Sequence, residues 1–243
     1  MTIAGRFAAA LDEEDAPPLS GPELLPVRLA RACVRTLGVD GAGISLVDPA
    51  QQPVPLGASS EPADTAERLQ FTVGDGPCLS AQETREPVFA VEDVLRQRWP
   101  VYADLLLGAT PYRAVVALPL APALVGTGTI DLYFERSDAV LALDVFEALA
   151  VGELVASALS DAAVSSSWSA DDGPEWLHGP APRRRAVVWR AMGRASVTLG
   201  IGAAAALSLL RAHAYGTGNS VDDVAADLLA NRLRPEELRP RDA

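Results

Sequence analysis

Residues 183–195 read RRRAVVWRAMGRA and combine five arginines with no acidic residue. The stretch stands out because the 243-residue chain carries a formal net charge of −12. A guanidinium group binds phosphate through two parallel hydrogen bonds and also stacks on flat rings. These residue types therefore point to binding of a phosphate backbone.

Helical geometry divides this stretch into two faces. At about 100° per residue, Arg183, Arg190 and Arg194 fall on one narrow stripe about 16 Å long. The opposite face is apolar and suits packing on other helices; it contains Val188, Ala191, Met192, Ala195 and Leu199. Arg185 and Trp189 lie at its rim. We expect the stripe to meet several phosphates, and Trp189 to stack on an unpaired base or to pack in the core.

The composition excludes several function classes. All 20 basic residues are arginine, so the lysines of P-loops, protein kinases and Schiff-base enzymes are absent. His178 and His213 are the only histidines, and with Cys33 and Cys78 they give no zinc-ligand spacing. We therefore expect no metal, no cofactor and no catalytic activity.

The apolar segments predict a cytoplasmic protein without a membrane span. The N-terminus has too short an apolar run for a signal peptide, and acidic residues follow it. The longest apolar run, 195–210, is shorter than the about 20 residues that a span needs and is flanked by arginines. We expect it to form two packed helices.

Hydrophobic periodicity predicts an α+β fold. Strands are expected at 40–48, 53–59, 87–91, 112–121 and 128–136. Helices are expected at 24–37, 63–69, 97–108 and 141–159, with 71–73 as a further short strand before a glycine turn. Three more helices are expected at 183–199, 203–214 and 221–231.

Composition also predicts where the domains meet. Residues 164–182 are rich in Ser, Asp, Gly and Pro and show no hydrophobic period, which is typical of a linker. The predicted division is a flexible segment 1–19, an α+β domain 20–163, the linker 164–182, a helical domain 183–234 and a tail 235–243.

Three short motifs resemble landmarks of GAF domains in actinobacterial regulators. They are GDGPCL at 74–79, RWP at 98–100 and VVALPL at 115–120. The resemblance implies an antiparallel sheet flanked by helices, which binds a small ligand or serves in dimerisation. An unidentified ligand would then lie among Cys78, Trp99, Tyr102, Tyr112 and Tyr133, although core packing explains these residues equally well.

The C-terminal part resembles an ANTAR domain, a three-helix RNA-binding module of transcription antitermination. The matching pieces are Arg185-x-x-Val188-x-x-Ala191-x-Gly193, Ala206-x-x-x-Leu210-Arg211-x-x-Ala214 and Ser220-x-x-x-Val224-Ala225. The chain departs from the family at Met192, where lysine is usual, and at Arg190, where a residue such as glutamine is usual.

Together the two resemblances imply a homodimeric transcription regulator. Its RNA partner would be hairpin loops in nascent mRNA, with the long helix 141–159 as the dimer seam. The expected RNA-binding residues are Arg183, Arg184, Arg185, Trp189, Arg190, Arg194 and Arg211. The acidic remainder of the chain could also cover the basic stripe and so mask it.

Other interpretations use the same residues. The helical tail would serve a ligand- or protein-binding GAF regulator as a protein-interaction module, or it would bind DNA as a helix-turn-helix. Weak attachment to an anionic membrane is a further alternative. An arginine run is also often just a solvated face.

Overall fold

The computed structural model describes residues 2–47, 53–123, 126–165 and 173–239. Five strands form one antiparallel sheet in the order β2-β1-β5-β4-β3. Their bounds are β1 Gly41–Val47, β2 Pro53–Ala58, β3 Val88–Val91, β4 Ala114–Ala123 and β5 Gly126–Phe134. The strands lie where the sequence predicts them, and the predicted α+β class is confirmed.

One face of the sheet is apolar. In β5, Ile130, Leu132 and Phe134 are buried on this face because alternate residues of a strand point the same way. Two helices cover it, α2 Leu25–Leu37 and α7 Val145–Ser165, and α1 Ile3–Glu14 packs against both of them. This side of the molecule is an ordinary hydrophobic core.

The opposite face of the sheet carries polar side chains. The intervening β5 residues, Thr129, Asp131 and Tyr133, are at most 1% exposed there. The helices around this face are α3 Glu61–Val73, α4 Pro77–Thr84, α5 Glu92–Arg98 and α6 Pro100–Ala109. A strand that alternates in this way places a buried carboxyl group between sheet and helices.

We call the sheet and helices α1 to α7 the body. Three predicted elements of the body differ from the structure. Phe71–Val73 was expected as a strand but forms the last turn of α3, which ends at Gly74 in the left-handed conformation that favours glycine (φ +78°). The helix expected at 97–108 is two helices, α5 and α6, which meet at Trp99 because Pro100 begins the second. The helix expected at 141–159 is a 3-10 helix at Ser137–Ala142 followed by α7.

The C-terminal helices are α8 Pro180–Leu199, α9 Ala203–Thr217 and α10 Val221–Leu229. The apolar run 195–210 is divided between α8 and α9, which meet at 109°, so it forms two helices as predicted. Ser220 and Asp223 form the predicted capping box at the start of α10. The helix predicted to begin at Arg183 begins at Pro180, because proline is favoured as the first residue of a helix.

The segment between α7 and α8 returns to the body. Residues 166–172 of the predicted linker 164–182 lie outside the described residues, as do 240–243 of the tail. Within the described part, Trp176 is 1% exposed and belongs to the apolar core between α2 and α7. The chain is thus anchored to the body at Trp176, four positions before α8 begins at Pro180.

Helix α7 is long and apolar enough to cross a membrane by length and composition alone. In the structure it packs along β4 and covers the apolar face of the sheet. Core helices of many proteins share these properties.

Candidate functional site

Phe71, in the last turn of α3, contacts α8 and α9 of the C-terminal helices, and α8 also packs along β2. The Cζ atom of Arg185 from α8 lies 3.1 Å from the Phe71 ring centroid, and that of Arg211 from α9 lies 4.8 Å away. The Trp189 ring approaches Phe71 edge-on at 5.7 Å between centroids. We call these four residues the Phe71 contact. Cation–π and edge-to-face geometry both stabilise such an arrangement.

Polar contacts reinforce the Phe71 contact along α3. The Arg211 Nε donates to the backbone oxygen of Phe71 at 2.9 Å, and Arg184 forms an ion pair with Asp64. The backbone N–H of Val221, at the start of α10, donates to Thr72 Oγ1 at 3.2 Å. All three C-terminal helices are therefore attached to α3.

Arg185 is a buried cation with few hydrogen bonds. Its side chain is 2% exposed, and its Nη1 donates one long bond to Pro53 O at 3.4 Å. The nearest carboxylate oxygen, of Asp222, lies 3.9 Å from its Nε, beyond hydrogen-bond distance. Burial lowers the pKa of Arg185 to about 10, and the charge of Asp222 opposes that shift. The Nε of Arg185 is buried without a hydrogen-bond partner.

The predicted RNA-binding residues divide into two groups. Arg183 and Arg190 are exposed on α8. Arg194, expected beside them, is half-buried and donates to Leu228 O and Asn231 Oδ1, each at 2.7 Å, at the end of α10. The second group lies against α3, namely Arg184, Arg185, Trp189 and Arg211.

Two buried carboxyl groups lie beneath the Phe71 contact, between α3 and the sheet. Burial raises the pKa of Glu67 well above its ordinary value, and the charge of Asp131 raises it further. Burial also raises the pKa of Asp131, to about 6. The Tyr133 hydroxyl donates to Glu67 Oε1 at 2.7 Å, and Gln70 Nε2 donates to Asp131 Oδ2 at 2.6 Å. Two carboxyl groups this close favour one shared proton and one negative charge.

The negative charge is incompletely paired. Among the described residues, no arginine forms an ion pair with Glu67 or Asp131. Asp131 Oδ1, Tyr102 Oη and Thr129 Oγ1 are buried without a hydrogen-bond partner in the same part of the structure. Unsatisfied buried polar atoms are rare in folded proteins and often mark functional sites.

A small cavity lies between Glu67 and the Phe71 contact. Its volume is about 20 Å³, space for about one water-sized group. The lining residues come from the sheet, from α3 and α4, and from α8: Ser45, Pro53, Pro55, Glu67, Gln70, Phe71, Cys78, Leu79 and Arg185. Arg185 and the carboxyl group of Glu67 therefore line the same cavity.

The glycine motif positions the floor of this cavity. GDG is a tight turn from α3 into α4, which starts at Pro77. The turn brings the Cys78 N–H to Gln70 Oε1 at 2.8 Å. Burial raises the pKa of the Cys78 thiol well above its ordinary value, so the thiol stays protonated and unreactive.

The five predicted pocket residues are all buried, but they do not line one pocket. Cys78 lines the cavity. The hydroxyl groups of Tyr102 and Tyr133 lie near the carboxyl pair, whose charges help burial to raise the pKa of each phenol. Tyr112 stacks on Tyr133 at 4.8 Å between ring centroids, and Trp99 packs in the core between the sheet and α6.

Sequence reasoning did not identify Glu67, Gln70, Phe71 or Asp131. Asp131 carries a readable signal, since a lone acid amid the alternating apolar residues of a central strand must be buried. Glu67 and Gln70 carry none, because a short amphipathic helix usually exposes such residues. In the described part of the chain, no group of three His, Cys, Asp or Glu residues is arranged to hold a metal ion.

A family model described as a GAF domain matches residues 23–160. Similar solved structures include GAF domains of phosphoenolpyruvate-protein phosphotransferases from Acinetobacter and Coxiella burnetii. They are 9% and 14% identical, with TM-scores of 0.45 and 0.46, and each match covers 68% of this chain and 97% of the other. A structure of SdiA in complex with octanoyl-rac-glycerol is 12% identical, with a TM-score of 0.42, and covers 95% of this chain and 96% of its own. No curated protein sequence matches this chain.

Proposed function

Since this chain belongs to the GAF domain family through residues 23–160, we propose that its GAF domain is a sensor that controls RNA binding by the C-terminal helices. The ANTAR-like motifs on α8, α9 and α10 support this assignment. The RNA partner is a hairpin in nascent mRNA, and the outcome is transcription antitermination. We assign the protein to the cytoplasm and give it no catalytic role.

The observation that carries this proposal is the distribution of arginines on the C-terminal helices. Residues 176–221 contain six arginines and no acid, in a chain of net charge −12. Arg183 and Arg190 are exposed on α8, where they can meet phosphate. Unpaired bases of a hairpin loop add stacking partners that a duplex lacks.

The Phe71 contact gives the GAF domain a means of control. Arg184, Arg185, Trp189 and Arg211 contact α3 and are not free to bind a second partner at the same time. Release of the helices from α3 would add these residues to the exposed pair. In this scheme the sensor masks part of the RNA-binding surface.

A homodimer is the expected assembly, with α7 as the seam. Phe146 on α7 and Leu141 just before it are 86% and 88% exposed, and Leu149 on the same helix is 38% exposed. Two linked RNA-binding units would raise the apparent affinity for paired hairpins through effective concentration.

The test is equilibrium binding of the full chain to a pool of hairpin RNAs, with duplex DNA and anionic vesicles as competitors. We expect the double variant Arg183→Gln/Arg190→Gln to lose about tenfold or more in RNA affinity. Its slope of log K against log salt should also become shallower, because each lost phosphate contact lowers that slope by about 0.7.

The matched control removes two exposed arginines from the GAF domain. Arg35→Gln/Arg136→Gln changes the net charge equally, and we expect wild-type RNA affinity from it. Equal losses in the two double variants, or stronger binding to DNA or vesicles than to RNA, would overturn the proposal.

One observation favours a second candidate function. The C-terminal helices already bind a protein surface, namely α3 of their own chain. The tail would then be a protein-interaction module that covers the GAF domain, without RNA. This candidate predicts no RNA retention in the pool experiment even after Phe71→Ala loosens the helices.

A further inference from the structure

Arg185 lines the cavity in an unfavourable state. Its guanidinium is almost fully buried, uses one long hydrogen bond and lies 3.9 Å from its nearest carboxylate oxygen. A buried charge is costly unless hydrogen bonds and ion pairs compensate for it. Exposure to water would restore the lost hydration, so this side chain is poised to leave when another group takes its place.

Glu67, which lines the cavity together with Arg185, has the complementary defect. It forms a hydrogen bond with Asp131, and no arginine in the described ranges lies within ion-pair distance of either carboxyl group, although the charge of Glu67 raises the pKa of Arg185. Asp131 does not line the cavity; its Oδ1 is buried with no hydrogen-bond partner, and the residue is 1% exposed.

From these two observations we propose that the cavity binds a compact organic cation with a planar amidinium or guanidinium group, which replaces the Arg185 guanidinium against Phe71 and pairs with Glu67, the carboxyl group that shares its charge with Asp131. The inference deepens the proposed sensor function, because it names the class of ligand that the GAF domain detects. It rests on that function only for its biological consequence, since binding itself is measured without RNA.

The residues that line the cavity beside Phe71 select this class of ligand. The face of the Phe71 ring attracts cations, and its present occupant shows that a planar cation fits there. The carboxyl pair accepts charge-assisted N–H bonds and disfavours an anion. A neutral planar group would fit the same shape without neutralising the pair.

The size of the cavity couples binding to release of α8. While the Arg185 side chain lines the cavity, the cavity volume of about 20 Å³ leaves no room for a planar cation. The ligand and the Arg185 side chain therefore exclude one another. Displacement of Arg185 removes the closest cation from the Phe71 contact, and with it part of the attachment of α8 to α3.

The probes for the test are methylguanidinium and methylurea. They are planar and nearly equal in size, and only the first carries a charge. Calorimetric titration of the full chain at constant ionic strength should give a dissociation constant on the order of 1 mM for methylguanidinium and no saturation for methylurea.

Two single variants should move the affinity in opposite directions. We expect Arg185→Ala to bind methylguanidinium about tenfold more tightly, because the internal competitor is gone. Asp131→Asn keeps the shape and removes the charge, and we expect about tenfold weaker binding. Arg136→Ala removes an exposed arginine on the body and should leave the affinity unchanged.

Several results would overturn the inference. They are equal binding of methylurea, no gain of affinity in Arg185→Ala, or no loss in Asp131→Asn. If Asp131→Asn does not fold, judged by circular dichroism, Glu67→Gln carries the same expectation. Saturable binding with failed RNA retention would refute the RNA function alone, and the reverse result would refute only the ligand class.

Discussion

Alternate residues of β5 point to opposite faces of the sheet, and the two faces serve different purposes. On one face, Ile130, Leu132 and Phe134 are sealed by helices of the GAF domain. On the other, Asp131 Oδ1 is buried without a hydrogen-bond partner, and the C-terminal helices reach the rim of that face through Phe71. The apolar face contributes stability that needs no partner, whereas the polar face carries the cost of a buried charge.

The largest effect should come from the apolar face. Leu132→Ala removes a fully buried side chain and should lower the free energy of unfolding by about 3 kcal/mol, through lost burial and the cavity left behind. Urea unfolding at several pH values between 4 and 8 measures this loss, which should be the same at each. A loss that varied with pH would mean that the two faces are coupled.

The polar face should show the opposite behaviour, a dependence on pH. Because the folded protein raises the pKa of Asp131 to about 6, it binds this proton more tightly than the unfolded chain does. Wild-type stability should therefore fall as the pH rises from about 4 to about 6. In Asp131→Asn the part of this fall that is due to Asp131 disappears, so the variant should gain roughly 2 kcal/mol relative to wild type across that window. The fall due to Glu67, whose pKa burial also raises, should remain.

Asp138 supplies the control for this titration. It is exposed, and its hydrogen bond with Arg136 lowers its pKa. Its contribution to stability is therefore present at neutral pH and lost on acidification, which is opposite in sign to that of Asp131. Urea unfolding of Asp138→Asn between pH 3 and 7 should show a small effect of that sign. Equal effects of the two substitutions would contradict the assignment to Asp131.

The smallest effect on the free energy of unfolding should come from the contact between the body and the C-terminal helices. Gly74 and Gly38 end α3 and α2 with similar left-handed backbones, at φ +78° and +67°. A Cβ atom at Gly74 would meet Arg211 Nη1 at 2.7 Å, whereas one at Gly38 meets nothing within 4 Å. Both alanine variants should lose about 1 kcal/mol through backbone strain. Only Gly74→Ala should also weaken the Phe71 contact.

Hydrogen exchange distinguishes these two glycine variants. In Gly74→Ala the amides of α9 should exchange faster, because Arg211 is displaced from Phe71 O. In Gly38→Ala exchange there should match wild type. Identical exchange in both variants would show that Arg211 does not hold α9 on α3.

The strands were predictable because alternation and turn residues are local signals, and β5 is a clear example. Phe71–Val73 was misassigned because an aromatic and two β-branched residues favour a strand, while the decisive factor is continuation of α3 to Gly74. The contact of Phe71 with Arg185 and Arg211 joins residues more than 100 positions apart, which no local pattern reports. The pairing of Glu67 with Asp131 likewise depends on how α3 lies across the sheet.

The arginines illustrate the same limit. Helical periodicity placed Arg183 and Arg190 correctly on an exposed face of α8. Helical periodicity placed Arg185 only at the rim of the apolar face of α8, because Phe71, the residue on which Arg185 packs, lies on α3 of the body. Charge and spacing thus predict which residues lie on a face, and tertiary packing decides what that face meets.

The burial of Trp176 sets how far the C-terminal helices can move. Only three residues separate this anchor from Pro180, so the Cα atoms of Trp176 and Pro180 can lie at most about 14 Å apart. If the C-terminal helices detached from α3, this short connection would therefore keep them close to it. The contact between α8 and α3 therefore re-forms at a very high local concentration, and any outside partner of these helices must compete with it. In the proposed sensor this contact would re-form quickly once the signal is gone.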